Sequence, residues 1–239
     1  RKGWSWLEKT PDWDWFIEHG YLEWIREGEQ HFLEKHGFAD LFDEFDVEFI
    51  NITEEVWSGR TVTPEIIEET VTERYGPLEL HQIHGFVPKK LYDLRGSTFI
   101  SLAKLKNYVT FTLKNLFGLI PAPIRAWWHG PNNIRLDQSI LDINKVYHSL
   151  FNMYGLCESF YETRRRKRKG DFSYDLVPGP GILAMGSKLA SLDVLLCELF
   201  GFYLDEAPYL ERACEVFDQK PEDGIDDLKD IVPESYYSP

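Results

Sequence analysis

The residue types best suited to chemistry crowd into one stretch, from Lys104 to Gly130. Lys104-Leu105-Lys106-Asn107 sets two lysines two residues apart, and in an extended backbone such residues point to the same side. Lys114 and Asn115 follow inside an otherwise apolar run, where a polar pair is costly unless partnered. Past the break at Pro121 and Pro123 comes Arg125-Ala126-Trp127-Trp128-His129-Gly130. Arg125 can close bidentately on a phosphate or carboxylate, and His129 can move a proton or hold a metal. The stretch therefore predicts an anion site, with Lys104, Lys106, Lys114, Asn115 and Arg125 as binding residues and His129 as the catalytic candidate. The plainer alternative is solvated lysines, an asparagine satisfying a local turn and a structural histidine before glycine.

Other signals are weaker. His81-x-x-His84 has metal-like spacing, but no third ligand lies nearby in sequence, so no residue is assigned to a metal. Asp142 and Asn144 fall on different sides of a helix and need not act together. There is no P-loop, no GxGxxG fingerprint and no GxSxG elbow.

Elements must position these residues. Tyr21–His36 has helical apolar spacing and a stop at Gly37. Asp46–Ile52 alternates and predicts a short strand. Pro64 opens a helix to about Tyr75, with Glu65 at its positive end. Ser97–Leu102 predicts a buried strand with Lys104–Asn107 just past its carboxyl end, and Thr110–Phe117 a helix capped by Thr110 or Thr112. A helix amino terminus at that place offers N–H groups to an anion. Leu136–Leu150 predicts a second helix and Leu150–Phe160 a strand or a helix. Ile182–Met185 predicts a strand, and Leu189–Phe200 and Pro208–Phe217 helices. Strands alternating with helices predict an α/β fold: a mostly parallel sheet with helices on both faces, in Rossmann-like layers.

Composition sets the bounds. The 239 residues, 43% hydrophobic and 15% aromatic, can bury a substantial core. A net charge of -14 disfavours nucleic acid as a partner. The basic stretch Lys89–Arg135 stands out in that acidic chain, as does the run Arg164–Lys169, whose plain alternative is a solvated loop. The three cysteines, Cys157, Cys197 and Cys214, form neither a disulfide framework nor a metal knuckle and indicate a reducing, cytoplasmic setting. No run approaches about 18 apolar residues, so no membrane span is expected. Residues 1–20 are a Trp-rich extension suited to packing or to stacking a flat ligand; 21–219 form the α/β domain; 220–239 are an acidic tail. A start at Arg1 without a signal pattern predicts absent upstream residues.

Several of these stretches together resemble the uncharacterised proteins called domain of unknown function 362. They are Lys104-Leu-Lys-Asn-Tyr108, Thr112-Leu-Lys-Asn-Leu-Phe-Gly-Leu-Ile-Pro121, His129-Gly130, Ile140-Leu-Asp-Ile-Asn144 and Gly181-Ile-Leu-Ala-Met-Gly186 with Leu192-Asp193. The resemblance spans about Gly28 to Phe202 and implies an α/β fold. Many members are fused to a ferredoxin-like iron–sulfur module. The scattered cysteines here imply that this chain binds no iron–sulfur cluster itself, and any other cofactor is unknown. Relatives usually read Lys-x-Lys-Thr-His where this chain ends in Tyr108, and Gly-x-Asp where it has Gly186-Ser187-Lys188. Three functions follow as expectations: a domain binding an anionic small molecule or cofactor, a non-catalytic subunit or scaffold with a decayed family site, or a redox protein partnering an iron–sulfur protein; a protein partner or a homo-oligomer is a further expectation.

Overall fold

The computed structural model describes residues 18–106, 111–122, 124–165, 174–202, 204 and 207–220. Expectations placed on the Trp-rich start, on Asn107, Tyr108 and Thr110, on most of the Arg164–Lys169 run and on the acidic tail lie outside these residues.

The amino-terminal part is helical. Helix α1 spans Tyr21–Lys35 and α2 Phe38–Glu44. The strand expected over Asp46–Ile52 is not formed. Asp46 takes a left-handed φ of 52°, and Asn51 accepts a hydrogen bond from the Glu54 N–H at 3.0 Å, starting α3 at Ile52–Trp57. An N-cap side chain satisfies a donor that a strand would have had to pair with a neighbour. Helix α4, Pro64–Tyr75, begins on Pro64 with Glu65 in its first turn, as its sequence predicts. A 3-10 turn at His81–Phe86 and the short α5 at Lys89–Asp93 lead into the sheet. Ile67 and Val71 of α4 and Ile83 of the 3-10 turn are fully buried, and each contributes about 1.5–3 kcal/mol by leaving water.

Strand β1 runs Thr98–Lys106. Helix α6 covers only Thr112–Asn115 before tightening into a 3-10 turn at Leu116–Leu119, shorter than the helix expected from Thr110 to Phe117. Helix α7 is Arg125–His129, and α8 is Leu136–Leu150, the bounds its apolar spacing predicts. Strand β2, Asn152–Arg165, resolves the strand-or-helix ambiguity. Strands β3, Tyr174–Pro178, and β4, Leu183–Gly186, precede α9, Leu189–Leu199, and α10, Tyr209–Val216.

The α/β expectation stands, and the sheet is mixed. Its longest ladder is the parallel pairing of β1 with β2, while β3 and β4 both run antiparallel to β2. Ser101 and Ala103 of β1 register with Gly155 and Cys157 of β2 on a face packed by α6, α8 and α9. On the opposite face Ile100 registers with Tyr154, Leu102 with Leu156, and Leu156 with Met185. Ile100, Leu102, Leu183 and Met185 are each more than half exposed there. Among the described residues the helices thus cover one face, where two covered faces are expected from the sequence. No helix among them is long and apolar enough to cross a membrane.

Candidate functional site

The end of β1 and the start of α6 are pinned by polar contacts, most of them buried. Ser101 donates its hydroxyl to the Thr112 carbonyl at 2.7 Å. The Asn115 amide donates to Ser101 Oγ and to the Leu102 carbonyl, both at 3.1 Å. Asp193, fully buried on α9, accepts from the Thr112 N–H at 3.0 Å, the Thr112 hydroxyl at 2.6 Å and the Leu113 N–H at 2.9 Å. Asn144 of α8 donates to the Leu113 carbonyl at 2.9 Å. Asp142, on another side of α8, accepts instead from the Leu80 N–H at 2.8 Å and from Gln138, so the two act separately, as their spacing predicts.

These contacts place all six predicted site residues around one cleft. Lys104, Lys106, Lys114, Asn115, Arg125 and His129 line a cavity of about 380 Å3, with Ala103, Phe111, Phe117 and Gly118 completing its wall. The ladder slips at the cleft: Lys104 registers with Glu158, whereas Lys106 registers with Thr163. The slack on β2 is folded under the turn Pro178–Gly181, where Ser159 exchanges hydrogen bonds with Ile182 through its hydroxyl and backbone.

The six differ in what already holds them. Lys104 is ion-paired with Glu158, its register partner. Arg125 donates Nε to the Ile120 carbonyl at 2.7 Å and Nη2 to the Gly118 carbonyl at 2.6 Å, bracing the loop that forms one wall. Of the five guanidinium N–H groups these bonds use two, so an anion can still meet the rest. His129 Nδ1 lies 3.3 Å from Asn133 Oδ1, and its ring stands edge-on to Phe117 at 4.8 Å. With Nδ1–H donating to Asn133, Nε2 carries the lone pair a base needs.

Burial dominates the electrostatics. It pushes the Lys106 ammonium below its ordinary proton affinity. Lys114 falls to about 8, by burial first and then by repulsion from Lys106, against the attraction of Asp137. Burial also lowers Arg125 and His129, and Lys114 and Arg125 push His129 further down. Desolvated like charges disfavour one another, and an anion among them reverses the sign of that interaction.

One sequence expectation is overturned here. The amino-terminal N–H groups of α6 do not face the cleft as an anion cradle, because the Asp193 carboxylate already accepts from Thr112 and Leu113. Asp193 and Glu158 are the residues that sequence reasoning missed. A lone carboxylate inside the apolar run Leu189–Cys197 was the available signal for Asp193. Glu158 carried none, since its partner lies on a strand distant in sequence.

No curated protein and no solved structure matches the chain. The family described as Domain of unknown function (DUF362) matches residues 23–197, a span that includes every residue of the cleft and Asp193 as well. The chain belongs to this family.

Proposed function

We propose that the cleft binds an anionic small molecule or cofactor carrying a phosphate or carboxylate. The observation that carries this reading is the gathering of Lys106, Lys114, Arg125 and His129, all desolvated, around one cavity. Lys106 and Lys114 supply the charge, and Arg125 adds directed donors. Lys104 acts through its pair with Glu158, and Asn115 fixes the strand-to-helix geometry. His129 is the proton-transfer candidate, reaching the bound molecule through Nε2. The test is a thermal-stabilisation panel of phosphate- and carboxylate-bearing metabolites, paired with native mass spectrometry of the purified chain. A stabilising ligand at one hundred times its Kd adds about 2.7 kcal/mol.

A second reading rests on a different observation, the exposed apolar sheet face of Ile100, Leu102, Leu183 and Met185. A protein partner or a second copy laid on that face would bury it and supply the second layer of a Rossmann-like arrangement. Sedimentation of the full chain at micromolar concentration tests this. A strictly monomeric species, with no partner held from native extract, argues against it.

A further inference from the structure

We infer that Glu68, His81 and His84 form a binding site for a divalent transition-metal ion of the Zn2+ class. The two histidines sit three apart on the 3-10 turn His81–Phe86. In a 3-10 turn residues i and i+3 eclipse, which brings both imidazoles to one side. Their ring centroids lie 6.3 Å apart. Helix α4 packs on this turn and brings in Glu68 from the other side. One ligand atom from each of the three residues lies within 4.8 Å of the other two.

A second observation points to a ligand. His84 is only 2% exposed, yet its Nε2 has no hydrogen-bond partner. A buried ring nitrogen left unsatisfied is costly, and a metal ion is a partner that a neutral imidazole nitrogen takes.

The geometry needs little adjustment. Two atoms bound to one ion at about 2.1 Å sit about 3.4 Å apart in a tetrahedral site. Glu68 and His81 are both exposed and can close on the buried, fixed His84 by rotating their side chains. Two imidazoles and a carboxylate suit Zn2+ and leave its fourth position to water. An ion here ties α4 to the 3-10 turn. It lies apart from the cleft, none of whose lining residues it uses.

The test is titration of tag-free, chelator-treated full chain with Zn2+ by calorimetry, and with Co2+ by absorption. Because His84 is buried, the informative variants are the exposed Glu68→Gln and His81→Ala, with fold checked by circular dichroism. The expected result is one Zn2+ per chain, a tetrahedral Co2+ spectrum, and affinity about ten-fold or more weaker in each variant. Absence of stoichiometric Zn2+ binding, or affinity unchanged in both variants, overturns the site.

Discussion

The Asp193 carboxylate grips Thr112 twice, through its backbone N–H at 3.0 Å and its hydroxyl at 2.6 Å. This contact fixes the first residue of α6, and Lys114 and Asn115 lie within the same turn. The position of the charged groups in the cleft therefore depends on a side chain from α9 that does not line it.

Replacing Asp193 by Ala leaves the Thr112 and Leu113 N–H groups buried without their acceptor. Each such loss costs about 1–3 kcal/mol, so chemical denaturation is expected to show a large drop in stability. Burial raises the Asp193 carboxyl from 3.8 to about 7. The folded state thus holds a proton that the unfolded state releases between those values. The contribution of this group to stability falls as pH rises from about 4 to about 7, and Asp193→Asn removes that slope. A stability profile flat in the wild type across this window contradicts the assignment.

Lys114 is expected to cost the folded chain stability when no anion is bound. Its folded-state value of about 8 lies below the ordinary 10.5, so the folded protein carries at pH 7 a charge it disfavours. Lys114→Met is expected to stabilise the ligand-free chain by on the order of 1–3 kcal/mol, read as a higher melting temperature. Under the proposed anion site, the same substitution is expected to abolish ligand stabilisation. A variant that loses stability and keeps ligand stabilisation would show that Lys114 is structural.

Anion binding is expected to take up protons near pH 8. A bound phosphate or carboxylate raises the Lys114 value from about 8, so the ammonium form is captured on binding. Affinity therefore declines as pH climbs above about 8. Calorimetry in buffers of different ionisation enthalpy reads the proton count directly; no uptake at pH 8 separates Lys114 from the bound charge.

Gly179 lies against the β2 backbone at Ser159 and Glu162, where the ladder slips. A Cβ on it would lie 2.0 Å from the Ser159 carbonyl oxygen, a backbone atom that cannot rotate away. Gly179→Ala is expected to cost about 1–3 kcal/mol and to weaken ligand stabilisation through the displaced strand end. Unchanged thermal melting would show that the turn yields freely.

Strongly periodic stretches declared themselves in the sequence, and the six residues grouped there line one cleft. Leu136–Leu150 is helical because its apolar residues share a face that the core buries. Lys104, Lys106, Lys114, Asn115, Arg125 and His129 line the cleft because α6 packs against the end of β1, where Ser101 meets Thr112 and Asn115 meets Leu102. Features set by distant partners were hidden. Alternation at Asp46–Ile52 mimics a strand, but pairing is a property of a neighbour, and Asn51 offered the local alternative of a helix cap. Glu158 and Asp193 reach Lys104 and Thr112 from β2 and α9, so no local pattern links them. The uncovered sheet face was invisible for the same reason: apolar alternation shows that a face exists, not what lies on it.

The most direct test of the anion site is ligand-induced thermal stabilisation of the Lys106→Ala, Lys114→Ala double variant beside the wild type, across phosphate and carboxylate ligands. The expected result is a wild-type shift with at least one ligand that grows with its concentration and is lost in the folded double variant. An equal shift in both proteins would contradict an anion held by Lys106 and Lys114.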